Sequence, residues 1–212
     1  MAACRSCPPG EVTSARAPFL YTGPARSALL HLKFDGWRSV AEALGRAMAA
    51  ASTIPADTVT WVPLSGKRLA GRGYDQAAAL ATIVARRLAI PRRRLLVRSR
   101  DTDPQTARRG AERRSAMAGA FRAVGRAPPR VLLIDDVLTT GATAAACARA
   151  LREAGASEVH LLTAARASSG ALPARCYTRP GSRSSLWLPG TDVPEVDASR
   201  RRSDPRKGTV GS

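Results

Sequence analysis

The segment best suited to chemistry is Val131 to Thr143, with the sequence V-L-L-I-D-D-V-L-T-T-G-A-T. An apolar run ends in two carboxylates, Asp135 and Asp136, and a short turn rich in threonine follows. A strand, a turn and a helix in that order present unpaired N–H groups and the positive end of a helix dipole, which favour an anion such as phosphate. Carboxylates beside the turn can accept hydrogen bonds from a diol. A phosphate next to a diol describes a ribose 5-phosphate.

The turn itself predicts the phosphate contacts. Glycine lets the backbone approach a ligand closely, and threonine hydroxyls donate hydrogen bonds. The predicted contacts are the six consecutive residues Leu138, Thr139, Thr140, Gly141, Ala142 and Thr143. A Walker-type nucleotide site is not supported, because its Gly-x-x-x-x-Gly-Lys-Ser/Thr loop is absent and Ser65-Gly66-Lys67-Arg68 is the nearest approach. A receiver domain would carry its acidic pair near the chain start, and a purely structural loop is the remaining alternative.

Apolar runs bounded by proline and glycine predict the elements that position this segment. The predicted strands are Asp57–Leu64, Arg94–Ser99, Arg130–Val137 and Glu158–Ala165, and the predicted helices are Ala25–Lys33, Val40–Ala51, Asp75–Leu88 and Ala142–Ala154. Gly155 suits the C-terminal end of the last helix. A strand, helix and strand within about 35 residues form a βαβ unit with parallel strands. The sequence therefore predicts an α/β fold, with helices covering a mostly parallel sheet.

Length and composition predict one domain with short additions. The chain has 212 residues, 44% of them apolar and 4% aromatic. No apolar run is long enough for a spanning helix and no secretory signal is evident, so a cytoplasmic protein without a membrane span is expected. We predict a Cys-containing segment over residues 1–17, the α/β domain over 18–167, and a disordered basic tail rich in Ser, Pro, Gly and Arg over 168–212.

The positive charge has two interpretations. The formal net charge is +18, and 17 basic residues but only 4 acidic ones lie between Ser65 and Arg130. This excess could bind a polyanion, either a di- or triphosphate or single-stranded DNA. All but three of the 34 basic residues are arginine, however, and the chain is rich in alanine. That bias is typical of GC-rich coding, and it favours a solvated surface for much of the total charge.

The four cysteines are Cys4, Cys7, Cys147 and Cys176. A Cys-x-x-Cys pair in a cytoplasmic chain suggests metal or redox chemistry. A tetrahedral structural zinc site needs four ligands, so Cys4 and Cys7 supply only half of one. We expect this chain, as a monomer, to bind zinc weakly or not at all. Cys147 lies among alanines in a predicted helix and is expected in the core.

Val131 to Thr143 resembles the 5-phosphoribosyl 1-pyrophosphate (PRPP) motif of type I phosphoribosyltransferases. The wider chain, from about Phe19 to Arg166, is similar to the ComF/GntX family, competence-associated proteins that contain this domain. The supporting segments are Leu30–Gly36, Trp61–Gln76, Pro104–Arg114 and Gly119–Phe121. Family members usually carry two Cys-x-x-Cys pairs before the core, whereas one is present here. The resemblance implies the type I phosphoribosyltransferase fold.

The resemblance also implies roles for individual residues. Asp135 and Asp136 are expected to hold the ribose hydroxyls while Leu138 to Thr143 bind the 5-phosphate. The loop from Leu64 to Arg68 is expected to face the pyrophosphate, with Ser65, Gly66, Lys67 and Arg68 as substrate contacts, and Arg72 is expected as a further substrate contact. A loop that closes over the site is expected within Leu96 to Phe121, with Gln105 as a substrate contact and Arg109 and Arg113 as catalytic contacts. An exposed, solvated position is the alternative for each of these arginines.

The implied reaction is displacement of pyrophosphate from ribose C1 by a nitrogen nucleophile, with Mg²⁺ accompanying PRPP. Two alternatives of a different class remain: a catalytically inactive PRPP-binding regulator, and an accessory protein that binds single-stranded DNA during DNA uptake. The sequence does not identify the nucleophile. It also leaves the oligomeric state open, with a homodimer as one candidate.

Overall fold

A computed structural model of the chain describes residues 11–34, 38–99 and 119–167. The predicted tail and Cys4 and Cys7 lie outside these ranges. The elements within them are β1 (Ser14–Arg16), β2 (Phe19–Leu20), α1 (Gly23–Phe34), α2 (Arg38–Ala51), β3 (Thr58–Trp61), α3 (Gly66–Arg72), α4 (Gln76–Leu88), β4 (Leu96–Arg98), β5 (Phe121–Ala123), β6 (Arg130–Leu138), α5 (Ala142–Glu153) and β7 (Glu158–Arg166).

The main sheet is built around β6. This strand pairs in parallel with β3 on one side, where Ile134 lies opposite Trp61, and with β7 on the other, where Asp135 lies opposite Thr163. Strands β1 and β2 follow each other along the outer edge of β7, also in parallel. The predicted βαβ unit of β6, α5 and β7 is therefore confirmed. So is the α/β class with a mostly parallel sheet.

The alternation of side chains along β6 creates two cores. Val131 and Leu133 face α5 and the short antiparallel pair β4–β5. Leu132 and Ile134 face the helices α1, α2 and α4. All four of these side chains are fully buried, as expected for a strand with helices on both sides. The sheet is thus covered on both faces.

The helix α4 illustrates how the local sequence sets the ends of an element. Asp75 adopts an extended backbone and its carboxylate accepts the N–H of Ala78 at 3.0 Å, which caps the first turn. Apolar residues at helical spacing, such as Leu80 and Val84, are buried against the sheet. The helix ends at Ala89, whose backbone is left-handed, shortly before Pro91.

Several short elements differ from the sequence prediction. Residues 66–72 form the helix α3 where only a loop was expected, with Ser65 as its N-cap. β1, β2 and β5 were not predicted, and β1 begins at Ser14, inside the segment separated from the core as residues 1–17. Each of these three strands has only two or three residues and no apolar pattern of its own, so the strand it pairs with determines it. None of the helices in the described part of the chain is long and apolar enough to cross a membrane.

We predict that Gly45→Ala destabilises the protein although alanine favours helices. A Cβ at Gly45 in α2 would lie 2.6 Å from Cγ2 and 2.8 Å from Cβ of Ile83 in α4. The gain in helix propensity is about 1 kcal/mol, whereas overpacking a tight contact costs about 1–3 kcal/mol. We expect a net loss of about 1 kcal/mol in the free energy of unfolding, measured by urea denaturation.

The matched control is Gly71→Ala in α3, where a Cβ would meet no atom within 4 Å. This variant should be neutral or more stable by up to about 1 kcal/mol. Equal effects of the two substitutions would contradict close packing between α2 and α4.

Candidate active site

The turn between β6 and α5 forms the wall of an open cavity. β6 ends at Leu138, and α5 begins at Ala142 after Gly141, whose φ of 74° is left-handed. The first N–H groups of α5 have no partner within the helix, so this end attracts anions. The cavity encloses about 270 Å³ of empty space, solvent included, and its lining residues are Asp135, Val137, Leu138, Thr139, Thr140, Gly141, Ala142, Thr143, Ala144, Leu161 and Thr163. All six predicted phosphate contacts therefore line one cavity.

Asp135 is the carboxylate of the pair that reaches this cavity. It lies on the α5 face of the sheet, half-buried, and its Oδ1 accepts the backbone N–H of Asp136 at 2.8 Å. Burial is the main cause that raises the pKa of Asp135 well above its usual range, and the neighbouring carboxylate of Asp136 adds to the shift. The ionisation of Asp135 therefore depends on its burial and on the charge of its neighbour Asp136.

Asp136 points to the other face of the sheet and does not line the cavity. Its Oδ2 lies 3.0 Å from Nζ of Lys33 in α1 and accepts Nε2–H of Gln76 in α4 at 3.3 Å. Its Oδ1 accepts the N–H of Val137 at 2.7 Å. The two carboxylates, adjacent in sequence, therefore have different environments because successive residues of a strand face opposite sides.

Lys33 and Gln76 were not predicted as site residues. The sequence contained both in segments that support the family resemblance, but it gave no reason to bring them to Asp136. Asp75, next to Gln76, acts as a structural residue: it caps α4 and its Oδ2 also accepts the N–H of Leu64 at 3.4 Å. Burial raises the pKa of Asp75. This carboxylate holds the end of the segment after β3 against the start of α4.

The predicted pyrophosphate-binding residues lie along α3, which follows β3 at the carboxyl edge of the sheet. Ser65 is buried and its Oγ accepts the N–H of Arg68 at 3.4 Å, whereas Gly66, Lys67 and Arg68 are exposed. The guanidinium of Arg72 lies 5.4 Å from the ring centre of Phe34. None of these five predicted residues lines the cavity. Gln105, Arg109 and Arg113 lie outside the described residues.

Two further residues singled out in the sequence have structural surroundings. Cys147 is fully buried in α5, in the core as expected, and burial raises the pKa of its thiol. His160 in β7 is hydrogen-bonded through Nδ1 to Ser14 Oγ at 2.8 Å and through Nε2 to Glu158 at 2.9 Å. The bond to Ser14 ties β1 to β7.

The family model described as phosphoribosyl transferase domain matches residues 75–183, just over half of the chain. The chain belongs to the phosphoribosyltransferase family. The match begins at the cap of α4 and includes the whole β6–α5–β7 unit with its cavity.

Two relatives of this chain are competence proteins. Competence protein F of Haemophilus influenzae is 37% identical over 111 residues, which cover 50% of this chain and 48% of that protein, so the chain spans about half the relative's length. Competence protein ComFC of Streptococcus pneumoniae is 27% identical over 162 residues, covering 76% of this chain and 71% of that protein. The predicted resemblance to the ComF family is confirmed by these relatives.

Two solved structures are similar to part of this chain. The allosteric regulatory enzyme of purine biosynthesis is 28% identical with a TM-score of 0.43, over 60% of this chain and 26% of that one. Glutamine PRPP amidotransferase from B. subtilis, complexed with ADP and GMP, is 29% identical with a TM-score of 0.42. The match covers 58% of this chain and 26% of that one.

We predict that Gly141→Ala weakens both stability and phosphate binding. A side chain at its φ of 74° costs about 1–2 kcal/mol of backbone strain, and relief of that strain would turn the N–H groups of the loop away from the cavity. Urea denaturation and calorimetry with ribose 5-phosphate measure the two effects. The control is Gly125→Ala, because Gly125 has a similar φ of 70° and open surroundings but does not line the cavity. Equal losses of affinity in both variants would contradict a phosphate-binding role for the loop.

Proposed function

We propose that the chain binds PRPP through its ribose 5-phosphate end at Leu138 to Thr143 and transfers the phosphoribosyl group to a nitrogen nucleophile. The observation that carries the proposal is the shared cavity. Asp135 lines it together with the threonine-rich turn that begins α5. An acceptor for ribose hydroxyls and donors for a phosphate therefore lie within one ligand's reach, in a member of the phosphoribosyltransferase family.

The proposed reaction exchanges one bond at ribose C1. The bond from C1 to the pyrophosphate oxygen breaks and its electron pair leaves with pyrophosphate. The nitrogen forms the new bond to C1 and then releases its proton. Positive charge develops on the ring in the transition state, and an ionised Asp135 nearby would stabilise it electrostatically. The turn and the start of α5 hold the 5-phosphate and so fix the position of C1.

Magnesium belongs to the proposal as a companion of PRPP. When bound, it would neutralise the charge of the leaving pyrophosphate. Pyrophosphate oxygens and water are suitable ligands for this ion. Among residues 11–34, 38–99 and 119–167, no three His, Cys, Asp or Glu side chains gather as a metal site, and the proposal assigns no protein ligand to magnesium.

A second candidate function is binding of single-stranded DNA, and the cations of α3 favour it. Lys67 and Arg68 are exposed at the carboxyl edge of the sheet, where Arg72 lies one turn further along the helix. The relatives are named as competence proteins, and we propose on this basis that the chain has a role in DNA uptake. We also propose that the protein is cytoplasmic and forms a homodimer. An inactive PRPP-binding regulator would use the same cavity, and it would bind PRPP without releasing pyrophosphate.

We predict that the variant Asp135→Asn with Asp136→Asn binds ribose 5-phosphate at least about 10-fold more weakly than the wild type. Hydrogen bonds to a charged group contribute about 1.5–3 kcal/mol, and the neutral amide loses this advantage. Calorimetry with PRPP and with ribose 5-phosphate measures the affinity, and release of pyrophosphate with candidate bases measures transfer.

The control for this experiment is Asp57→Asn. Asp57 precedes β3 at the other end of the sheet, where its Oδ2 accepts the N–H of Arg130 at 2.9 Å. It also forms an exposed ion pair with the Arg130 guanidinium, so its loss should change stability little and leave affinity unaltered. Folded wild-type protein that binds neither PRPP, ribose 5-phosphate nor a nucleotide would refute the site.

For DNA, we predict that exchanging Lys67, Arg68 and Arg72 for alanine weakens binding of an oligonucleotide and flattens its salt dependence. Each phosphate contact contributes about 0.7 to the log–log slope on single strands, so up to about 2 units should be lost. PRPP should compete, because both ligands would use the same cations. Fluorescence anisotropy at several salt concentrations, on protein ending at Ala167, measures these effects.

A matched triple variant exchanges Arg46, Arg86 and Arg87, whose guanidinium groups surround Glu42 on the outer surface of α2 and α4. It removes the same charge from another surface. If this variant weakens DNA binding as much, or if PRPP does not compete, the DNA proposal fails.

A further inference from the structure

The second carboxylate of the acidic pair is held by side chains from two helices. Lys33 reaches Asp136 from the last turn of α1, and Gln76 reaches it from the first turn of α4. The lysine and aspartate side chains are 20% and 10% exposed, and Gln76 is 4% exposed. A nearly buried ion pair persists only when its geometry is good and further hydrogen bonds satisfy it. Gln76 supplies such a bond.

The hydrogen bonds of Asp136 are largely used within the protein. Its Oδ2 receives Lys33 and Gln76, and its Oδ1 receives the N–H of Val137. Three contacts occupy most of the roughly four acceptor positions of a carboxylate. Asp135, by contrast, lines the cavity and accepts one backbone N–H through Oδ1. Asp135 therefore lines the cavity, whereas Asp136 is held by contacts within the protein on the opposite face of β6.

Gln76 adds an independent indication of this division. Its Nε2 donates to Asp136, whereas its buried Oε1 has no hydrogen-bond partner in the described structure. Turning the amide would place Oε1 against the carboxylate oxygen, which repels it. A buried acceptor without a partner costs about 1–3 kcal/mol. The amide is thus oriented for Asp136 despite an unsatisfied atom.

We infer that Lys33 and Gln76 are positioning residues of the acidic pair, which keep Asp136 as their counter-ion on the far face of β6 and leave Asp135 as the carboxylate that meets the ribose hydroxyls. This inference rests on the proposed binding of a ribose 5-phosphate and specifies how the site is charged. Lys33 neutralises one of two adjacent negative charges. Asp135 can then ionise beside a neutral ion pair rather than beside a bare carboxylate.

The charged and titratable groups around the pair come from four elements. Asp135 and Asp136 share β6, and Lys33 projects from α1. The buried Cys147 of α5 is close enough to Asp135 and to Arg98 of β4 for both charges to affect its pKa. The Asp136 charge raises the pKa of Asp135 and the Lys33 charge lowers it. Loss of Lys33 alone therefore moves ionisation of Asp135 to higher pH.

The test measures ribose 5-phosphate binding by calorimetry between about pH 5 and 9. In the wild type, affinity rises with pH as Asp135 ionises, in addition to the rise that all variants share because the ligand phosphate has a second pKa of about 6. Lys33→Met should move the midpoint of this rise upward by about one pH unit and weaken binding near neutral pH about tenfold. Lys33→Arg keeps the charge and so keeps the midpoint. The control is Arg26→Met, which removes a charge from the exposed face of α1 and should match the wild type throughout.

A second variant keeps the test valid where a lone buried carboxylate prevents folding. Lys33→Met with Asp136→Asn removes both charges of the pair, and the midpoint should then fall below that of the wild type, because Asp135 no longer has a negative neighbour. Its affinity should exceed that of Asp135→Asn by at least about tenfold, the equivalent of one charged hydrogen bond. A double variant as weak as Asp135→Asn would show that Asp136 binds the ribose itself, and would overturn the inference.

The outcomes separate this inference from the proposed function. No binding of ribose 5-phosphate by the wild type refutes the proposed function, and the inference with it. Binding by the wild type with an unchanged pH midpoint in Lys33→Met overturns the inference alone. A midpoint that moves with Lys33→Met, stays with Lys33→Arg and falls in the double variant supports both.

Discussion

The central position of β6 between two parallel neighbours is the constraint on which the site depends. Hydrogen bonds to β3 and β7 fix its register on both sides, so its side chains must alternate between the two buried faces. The strand carries its apolar pattern up to Ile134 and then continues into two acids. Alternation places Asp135 on the cavity and Asp136 among the helices of the opposite face. One regular strand thereby creates two carboxylate environments.

Much of this arrangement could be predicted from local sequence. The apolar run from Val131 to Leu138 indicates a strand, and the segment after it has the length of a helix that ends at Gly155. A second apolar run follows, so all of these signals indicate the same strand–helix–strand unit. The four long helices and the strands β3, β4, β6 and β7 were expected within a few residues of their observed bounds. The turn between β6 and α5 was expected for the same reason, because a helix start after a buried strand is a local feature. All six of its predicted residues line the cavity.

The features that the sequence did not predict depend on contacts between distant residues. Lys33 and Asp136 are about a hundred residues apart in the sequence, and Gln76 and Asp136 are 60 apart. No local sequence pattern predicts contacts over such separations. Strands β1 and β2 exist because the edge of β7 accepts them. The sequence around Asp75 does not distinguish it from a solvated surface acid. In the structure its carboxylate caps α4 and accepts the N–H of Leu64. Tertiary packing determines these roles.

The choice of cation at the acidic pair has a physical basis. Only three of the 34 basic residues are lysines, and two of them, Lys33 and Lys67, lie in the described elements. A guanidinium is a broad planar fork that engages both oxygens of a carboxylate, whereas an ammonium is a compact point charge. At Asp136 one oxygen is shared between Lys33 and Gln76 and the other receives the N–H of Val137. A compact charge leaves room for all three contacts, whereas a guanidinium would keep the charge but compete with Gln76 or Val137 for these oxygens.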